Sequence, residues 1–137
     1  MRMRVRALII QDGNILLIHR VRDGKEYWVF PGGGIEESDI TPQQALKREC
    51  FEELGVTVDV GDLFVQNSFE SPLGKQKELY YICKIISGKV GTGDGPESTR
   101  DPQIYGTYKN EWLSLSSIST KNLQPTEVRD KVVSDLS

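Results

Sequence analysis

Three glutamates define the chemistry open to this chain. Glu49, Glu52 and Glu53 lie in the run Arg48-Glu49-Cys50-Phe51-Glu52-Glu53-Leu54-Gly55. On a helix turning roughly 100° per residue they fall within an arc of about 100°. Leu46, Cys50 and Leu54 recur at i, i+4 on the adjacent face, which gives the helix a side to bury. Carboxylates so placed repel one another by a few tenths of a kcal/mol per i,i+4 pair, and a helix built only to be soluble would intersperse lysines. Clustered carboxylates suit hard divalent cations such as Mg²⁺, which take oxygen ligands and keep several waters.

The elements that must position these glutamates are equally legible. Thr41-Pro42-Gln43-Gln44 reads as a capping box with proline at the first helical position. Gly55 stands where a helix takes a left-handed C-terminal residue. Upstream, the apolar run Tyr27-Trp28-Val29-Phe30 predicts a strand, and Pro31-Gly32-Gly33-Gly34 predicts a sharp turn with its backbone close to a ligand. Strand, glycine loop and acidic helix therefore form one functional unit.

The stretch 34–56, GIEESDITPQQALKRECFEELGV, resembles the signature of the Nudix hydrolases. Arg48, Glu49, Cys50 in the apolar slot, Glu52, Glu53, Gly55 and Val56 match it position by position. One position departs: the family has glutamate where this chain has Ile40, and Asp39 stands one residue early, as if Ile40 were inserted in the loop. The resemblance implies an α/β fold, a mixed β-sheet sandwiched between helices, over a single domain 1–137. It also implies a pyrophosphohydrolase that uses Mg²⁺, with Mn²⁺ as substitute, to cleave a nucleoside diphosphate linked to another moiety. Glu49, Glu52, Glu53 and the Gly34 carbonyl become the expected metal ligands, Glu49 the base and Arg48 its orienting partner. Gly32 and Gly33 would border the substrate. A distal acid is expected from Glu97, with Asp101 and Glu111 as alternatives. The partner is then a small nucleotide, with no nucleic-acid polymer and no membrane, and a homodimer is left open. A nucleotide sensor that does not cleave is the rival reading, and Ile40 is its one support.

The remainder of the chain bounds these expectations. With 137 residues, 37% hydrophobic and 27% charged, the composition is that of an ordinary globular domain with a sizeable core. The net charge of −3 argues against non-specific nucleic-acid binding. Cys50 and Cys83 fall within apolar patterns and read as buried free thiols, which suits a cytoplasmic protein. One histidine and two distant cysteines rule out histidine-based triads and the usual zinc sites.

Residues 3–10 alternate between Met3, Val5, Ala7 and Ile9 on one face and the Arg4 and Arg6 side, with Arg2 before them, on the other. A solvated arginine face is expected, with phosphate contact as the alternative. Gln11–Asn14 predicts a hairpin turn, and Ile15–Ile18 a strand covered on both faces. The runs 56–58, 63–69 and 79–86 predict strands, the last two joined as a hairpin through Ser71-Pro72-Leu73-Gly74. Pro72 also has a counterpart in Nudix enzymes acting on ADP-ribose, although the turn alone accounts for it. Residues 87–110 read as a long functional loop, 112–115 as a short strand and 125–136 as a helix. Tyr27, Trp28, Phe69, Tyr80, Tyr105 and Tyr108 could stack on a base.

Overall fold

The computed structural model describes residues 2–91 and 106–137. Strand β1 (Arg2–Gln11) turns through Asp12 and Gly13, both at positive φ, into β2 (Asn14–Arg22). A second such turn, at Asp23 and Gly24, leads to β3 (Lys25–Val29). Asp-Gly suits both hairpins because neither residue is strongly penalised there. The segment Gly32–Gly34 is itself a short strand, β4, paired antiparallel with β1, where a loop was expected. Helix α1 (Pro42–Leu54) follows, then the long hairpin of β5 (Val56–Ser71) and β6 (Gly74–Gly88). Strand β7 (Thr107–Ser114), a 3₁₀ turn at Ile118–Thr120, β8 (Leu123–Gln124) and helix α2 (Thr126–Leu136) complete the described chain.

Two expectations need correction. The segment read as a loop over 87–110 is shorter, because β7 begins at Thr107 and pairs along β2 from Val21↔Thr107 to Asn14↔Ser114. Edge residues such as Lys109 and Asn110 are polar and hide this strand from a hydrophobicity pattern. Strand β8, two residues long and parallel to β3, was missed as well. Pro72 occupies the two-residue turn between the paired residues Ser71 and Gly74, so the strand register accounts for it.

The sheet separates the two helices. On one face Val5, Ala7, Ile9, Leu16, Ile18 and Tyr81 pack with Ala45, Leu46, Cys50 and Leu54 of α1. On the other, Leu8, Ile15, Leu17, Trp28, Phe30 and Tyr80 pack beneath Val128 and Val132 of α2. Alternation along β1 and β2 feeds both cores at once, which is why Ile15–Ile18 is apolar at every position. Burying a leucine or isoleucine stabilises by roughly 1.5–3 kcal/mol, so the doubly covered strands dominate the stability.

One feature of the sheet matters for function. Among the described residues, β1 meets β2 at Ile10↔Ile15 and Gln11↔Asn14, beside the turn. Further along, β1 pairs instead with β4 and β6, while β2 pairs with β3 and β7. The two halves splay apart from the hairpin, and the space between them is a cleft.

Cys50 and Cys83 are free and buried, as expected. Burial raises both thiol pKa values, that of Cys83 to about 12. Thiolate is the reactive form, so the native protein should react with a thiol reagent at neutral pH far more slowly than the urea-unfolded chain. Equal rates in the two states would contradict this packing.

Candidate active site

Helix α1 is fixed at both ends. The Thr41 hydroxyl oxygen accepts from the Gln44 N–H at 3.1 Å, and the Gln44 amide oxygen accepts from the Ile40 N–H at 3.2 Å. The capping box thus closes on the residue before the cap rather than on Thr41 itself. Gly55, at φ 80°, ends the helix and donates to the Phe51 carbonyl at 3.0 Å. Between these ends Leu46, Cys50 and Leu54 enter the core, and the carboxylates are left along the cleft side.

Arg48 organises the acidic face. Its guanidinium grips Asp39 with a fork, Nε to Oδ1 at 3.1 Å and Nη2 to Oδ2 at 2.8 Å. Nη2 also donates to the Gly34 carbonyl at 3.1 Å, and Nη1 donates to Glu49 at 3.1 Å and Glu52 at 3.2 Å. Glu36 stands 3.4 Å from Nη1. Three of the four expected metal donors therefore converge on one cation.

The hydrogen bonds from Arg48 hold the Asp39 carboxyl below its ordinary value near 3.8, and the Arg48 pKa is raised chiefly by Asp39. The Asp39 side chain is 6% exposed, whereas Ile40 is 84% exposed. Asp39 reaches Arg48 from the position before Ile40, and Ile40 is turned out to solvent. The early position of Asp39 was legible in the sequence, and the ion pair gives it a physical consequence.

The glycine segment seats the first glutamate. Gly33 is buried in register with Val5, and a Cβ on it would lie 2.5–2.7 Å from all three atoms of the Glu49 carboxylate. Gly32, at φ 146°, packs against the β1 backbone and lines a cavity with Glu53, Arg20 and Tyr108. Glu53 is buried and Glu52 is partly exposed. Among the described residues no three acidic, histidine or cysteine side chains already stand as a ready-made coordination set. The donors nevertheless suit a hard cation, because carboxylates and a backbone carbonyl are all oxygen ligands. The cradle over Gly33, which any side chain would fill, holds Glu49 beside them.

The other sequence candidates are dispersed. Glu97, Asp101 and Tyr105 lie outside the described residues. Glu111 accepts from the Trp28 indole at 2.8 Å and lies 3.5 Å from His19, which stacks on Trp28 at 4.4 Å. Both residues brace β2, β3 and β7 against one another. Phe69 and Tyr80 border a cavity of about 490 Å³ with Phe30, Asn67, Gln124 and Pro125, whereas Tyr27 and Tyr108 border the cavity at Gly32.

Sequence reasoning missed a buried network in the larger cavity. Arg6 Nε donates to Glu78 at 3.1 Å, and the Tyr80 hydroxyl donates to the other Glu78 oxygen at 2.9 Å. A glutamate two residues from a tyrosine in an otherwise apolar strand was the available signal.

A splayed mixed sheet thus lies between two helices, with an arginine-clamped run of glutamates beside a glycine strand. The chain belongs to the NUDIX domain family, whose match spans residues 1–136. It is 33% identical to the 8-oxo-dGTP diphosphatase of Haemophilus influenzae over 98 residues, 69% of this chain and 71% of that protein. It is 39% identical to a MutT-like protein of Streptomyces ambofaciens over 123 residues, 90% of this chain and 70% of that protein. The crystal structure of a MutT NUDIX hydrolase from Burkholderia pseudomallei shares the fold, with a TM-score of 0.72 at 21% identity over 99% of this chain and 98% of that one. The protein is a hydrolase of phosphoanhydride bonds, and divalent-metal dependence is general in its family.

The Arg48 clamp yields a prediction with a defined sign. Asp39 has a lowered folded pKa, so its contribution is complete above its unfolded value and is lost as pH falls through the folded value. Asp39→Asn should destabilise by about 1–3 kcal/mol at pH 7, as expected for a hydrogen bond to a charged group. The difference from wild type should shrink as pH falls below 4, and thermal melts across pH 2.5–7 check it. A constant difference across that range would overturn the assignment.

Proposed function

We propose that the chain is a Mg²⁺-dependent pyrophosphohydrolase cleaving a nucleoside diphosphate linked to another moiety, with nucleoside triphosphates, oxidised ones included, ahead of nucleotide sugars. The observation that carries this reading is the convergence of the Gly34 carbonyl, Glu49 and Glu52 on the Arg48 guanidinium. Oxygen donors that share one cation are placed to share another. The named activity of the Haemophilus influenzae relative, an 8-oxo-dGTP diphosphatase, supports the preference for triphosphates.

In this reading Glu49, Glu52, Glu53 and the Gly34 carbonyl hold the metal, with Mn²⁺ able to replace Mg²⁺. When bound, the ion neutralises the phosphoryl oxygens and makes a coordinated water more acidic. The chain's residues supply the rest. Glu49, pinned over Gly33, accepts the proton of the attacking water. Arg48 orients Glu49 and Glu52 and limits their mutual repulsion. The cavity beside Phe30 and Phe69 takes the base, and Glu97 remains the candidate for a distal acid. Buried free thiols support a cytoplasmic setting.

The rival sensor reading loses its one argument, because Asp39 supplies Arg48 with the carboxylate that Ile40 lacks.

Two tests follow. Glu52→Gln should keep the melting temperature and lower kcat by roughly 10²–10³-fold, the scale of losing one preorganised electrostatic contact. Full activity in that variant would refute the ligand assignment, as would turnover that survives EDTA. Gly33→Ala should displace Glu49 and lower kcat by about 10²-fold, the usual result of misplacing a reacting group by an ångström. The assay is phosphate and pyrophosphate release across nucleoside triphosphates, oxidised nucleotides, nucleotide sugars, ADP-ribose and 5′-triphosphorylated RNA.

A further inference from the structure

Along β1 the face turned away from α1 carries Arg2, Arg4 and Arg6 before it becomes apolar at Leu8. A solvated face was expected, but only Arg2 is exposed; Arg4 and Arg6 are partly buried in the cleft. Arg6 is committed, donating to Glu78 and, through Nη1, to the Phe30 carbonyl at 3.2 Å.

Arg4 differs. Its Nε is buried and has no hydrogen-bond partner among the described residues. Burial lowers its pKa, reinforced by Arg6 and Arg2 and opposed by Glu78 and Glu49. Guanidinium cannot shed its charge in a protein, and a purely structural role would have given its donors acceptors.

Its position is equally specific. Arg4 lies on the wall shared by two cavities. One, of about 490 Å³, is bounded by Arg2, Met3, Gly34 and Ile35; the other, of about 190 Å³, by Arg6, Arg20, Gly32 and Glu53. Arg6 in turn is shared between the second cavity and the one beside Phe30 and Phe69. Three cavities are thus strung along one strand, with an arginine between each and the next. Alternate residues of a strand are roughly 7 Å apart, and register sets Arg4 opposite Gly34 and Arg6 opposite Gly32. Arg4 borders the cavity that Glu53 of the acidic helix also lines.

We propose that Arg4, flanked by Arg2 and Arg6, is an anion seat that grips the phosphate chain of the substrate, so that the protein favours nucleoside tri- and longer polyphosphates over a diphosphate linked to an uncharged sugar. The guanidinium fork matches two non-bridging oxygens of one phosphoryl group. A triphosphate presents one more charged phosphoryl group than the diphosphate of a nucleotide sugar, and Arg4, on the wall of two cavities, has a buried Nε to offer it; the Nε of Arg20, across the same cavity, also lacks a hydrogen-bond acceptor among the described residues. This deepens the function proposed above and rests on it for the bond that is cleaved, but the binding itself does not depend on that reading.

The experiment is calorimetric titration of inorganic tripolyphosphate, in EDTA, into the wild-type protein, Arg4→Met and Arg4→Lys, with melting temperatures and steady-state kinetics alongside. Arg4→Met should weaken tripolyphosphate binding by about tenfold or more, the scale of a charged hydrogen bond. Its melting temperature should be unchanged or higher, since it removes a partly buried cation whose Nε lacks an acceptor among the described residues. Arg4→Lys keeps the charge without the fork and should bind between the two, which tests the seat even if the methionine variant folds poorly. In turnover, Arg4→Met should raise KM for a nucleoside triphosphate about tenfold while changing kcat/KM for ADP-ribose less than about threefold. Unchanged tripolyphosphate affinity in both variants, or equal losses on the two substrates, overturns the anion seat while leaving hydrolysis intact. Tripolyphosphate binding that depends on Arg4 in a protein that hydrolyses no nucleotide upholds the seat and overturns the proposed function instead.

Discussion

A single guanidinium joins the loop before α1 to the helix itself. Arg48 reaches back nine residues to Asp39, further back to the Gly34 carbonyl, and along its own helix to Glu49 and Glu52. Without it, carboxylates one helical turn apart would repel one another and the loop would have no fixed closure. Its five donors in a rigid plane are what allow one residue to serve so many acceptors, and a lysine could not reproduce the fork to Asp39. The position of Glu49 over Gly33, and hence the geometry of the proposed metal site, follows from that closure.

The second constraint is the splay of the sheet. Helix α1 and helix α2 each need an apolar face to rest on, and β1 and β2 supply both by being apolar on alternate sides. The same strands part beyond their shared turn because β1 takes β4 and β6 as neighbours while β2 takes β3 and β7. The cleft is therefore a product of pairing, and polar residues at alternate positions of β1 are drawn into it. Arg4 and Arg6 sit there because Val5 and Ala7, on the opposite side, are required beneath α1.

Much of this was legible in advance. Periodicity placed α1, its caps were written in Thr41, Pro42 and Gly55, and the Asp12-Gly13 turn announced its hairpin. Departures occurred where long-range pairing overrode local pattern. The glycines after Pro31 read as a loop, yet β1 offers them a ladder of hydrogen bonds. Thr107–Asn110 is too polar to predict as a strand, yet β2 needs a partner along its free edge. The arginine face of β1 read as solvated because nothing local reveals that a second half-sheet leans over it.

By itself, then, the sequence determined the acidic helix with its caps, the longer strands and the family of reaction, because these depend on residue type at short, regular spacing. Tertiary structure decided that Asp39 closes the box in place of Ile40, that Glu49 rests on Gly33, and that Glu78 is buried between Arg6 and Tyr80. It also decided that Arg4 faces a cavity with its Nε unpartnered among the described residues. Each of these is a contact between residues far apart in the chain or displaced in register, and such contacts exist only once the strands have chosen their neighbours.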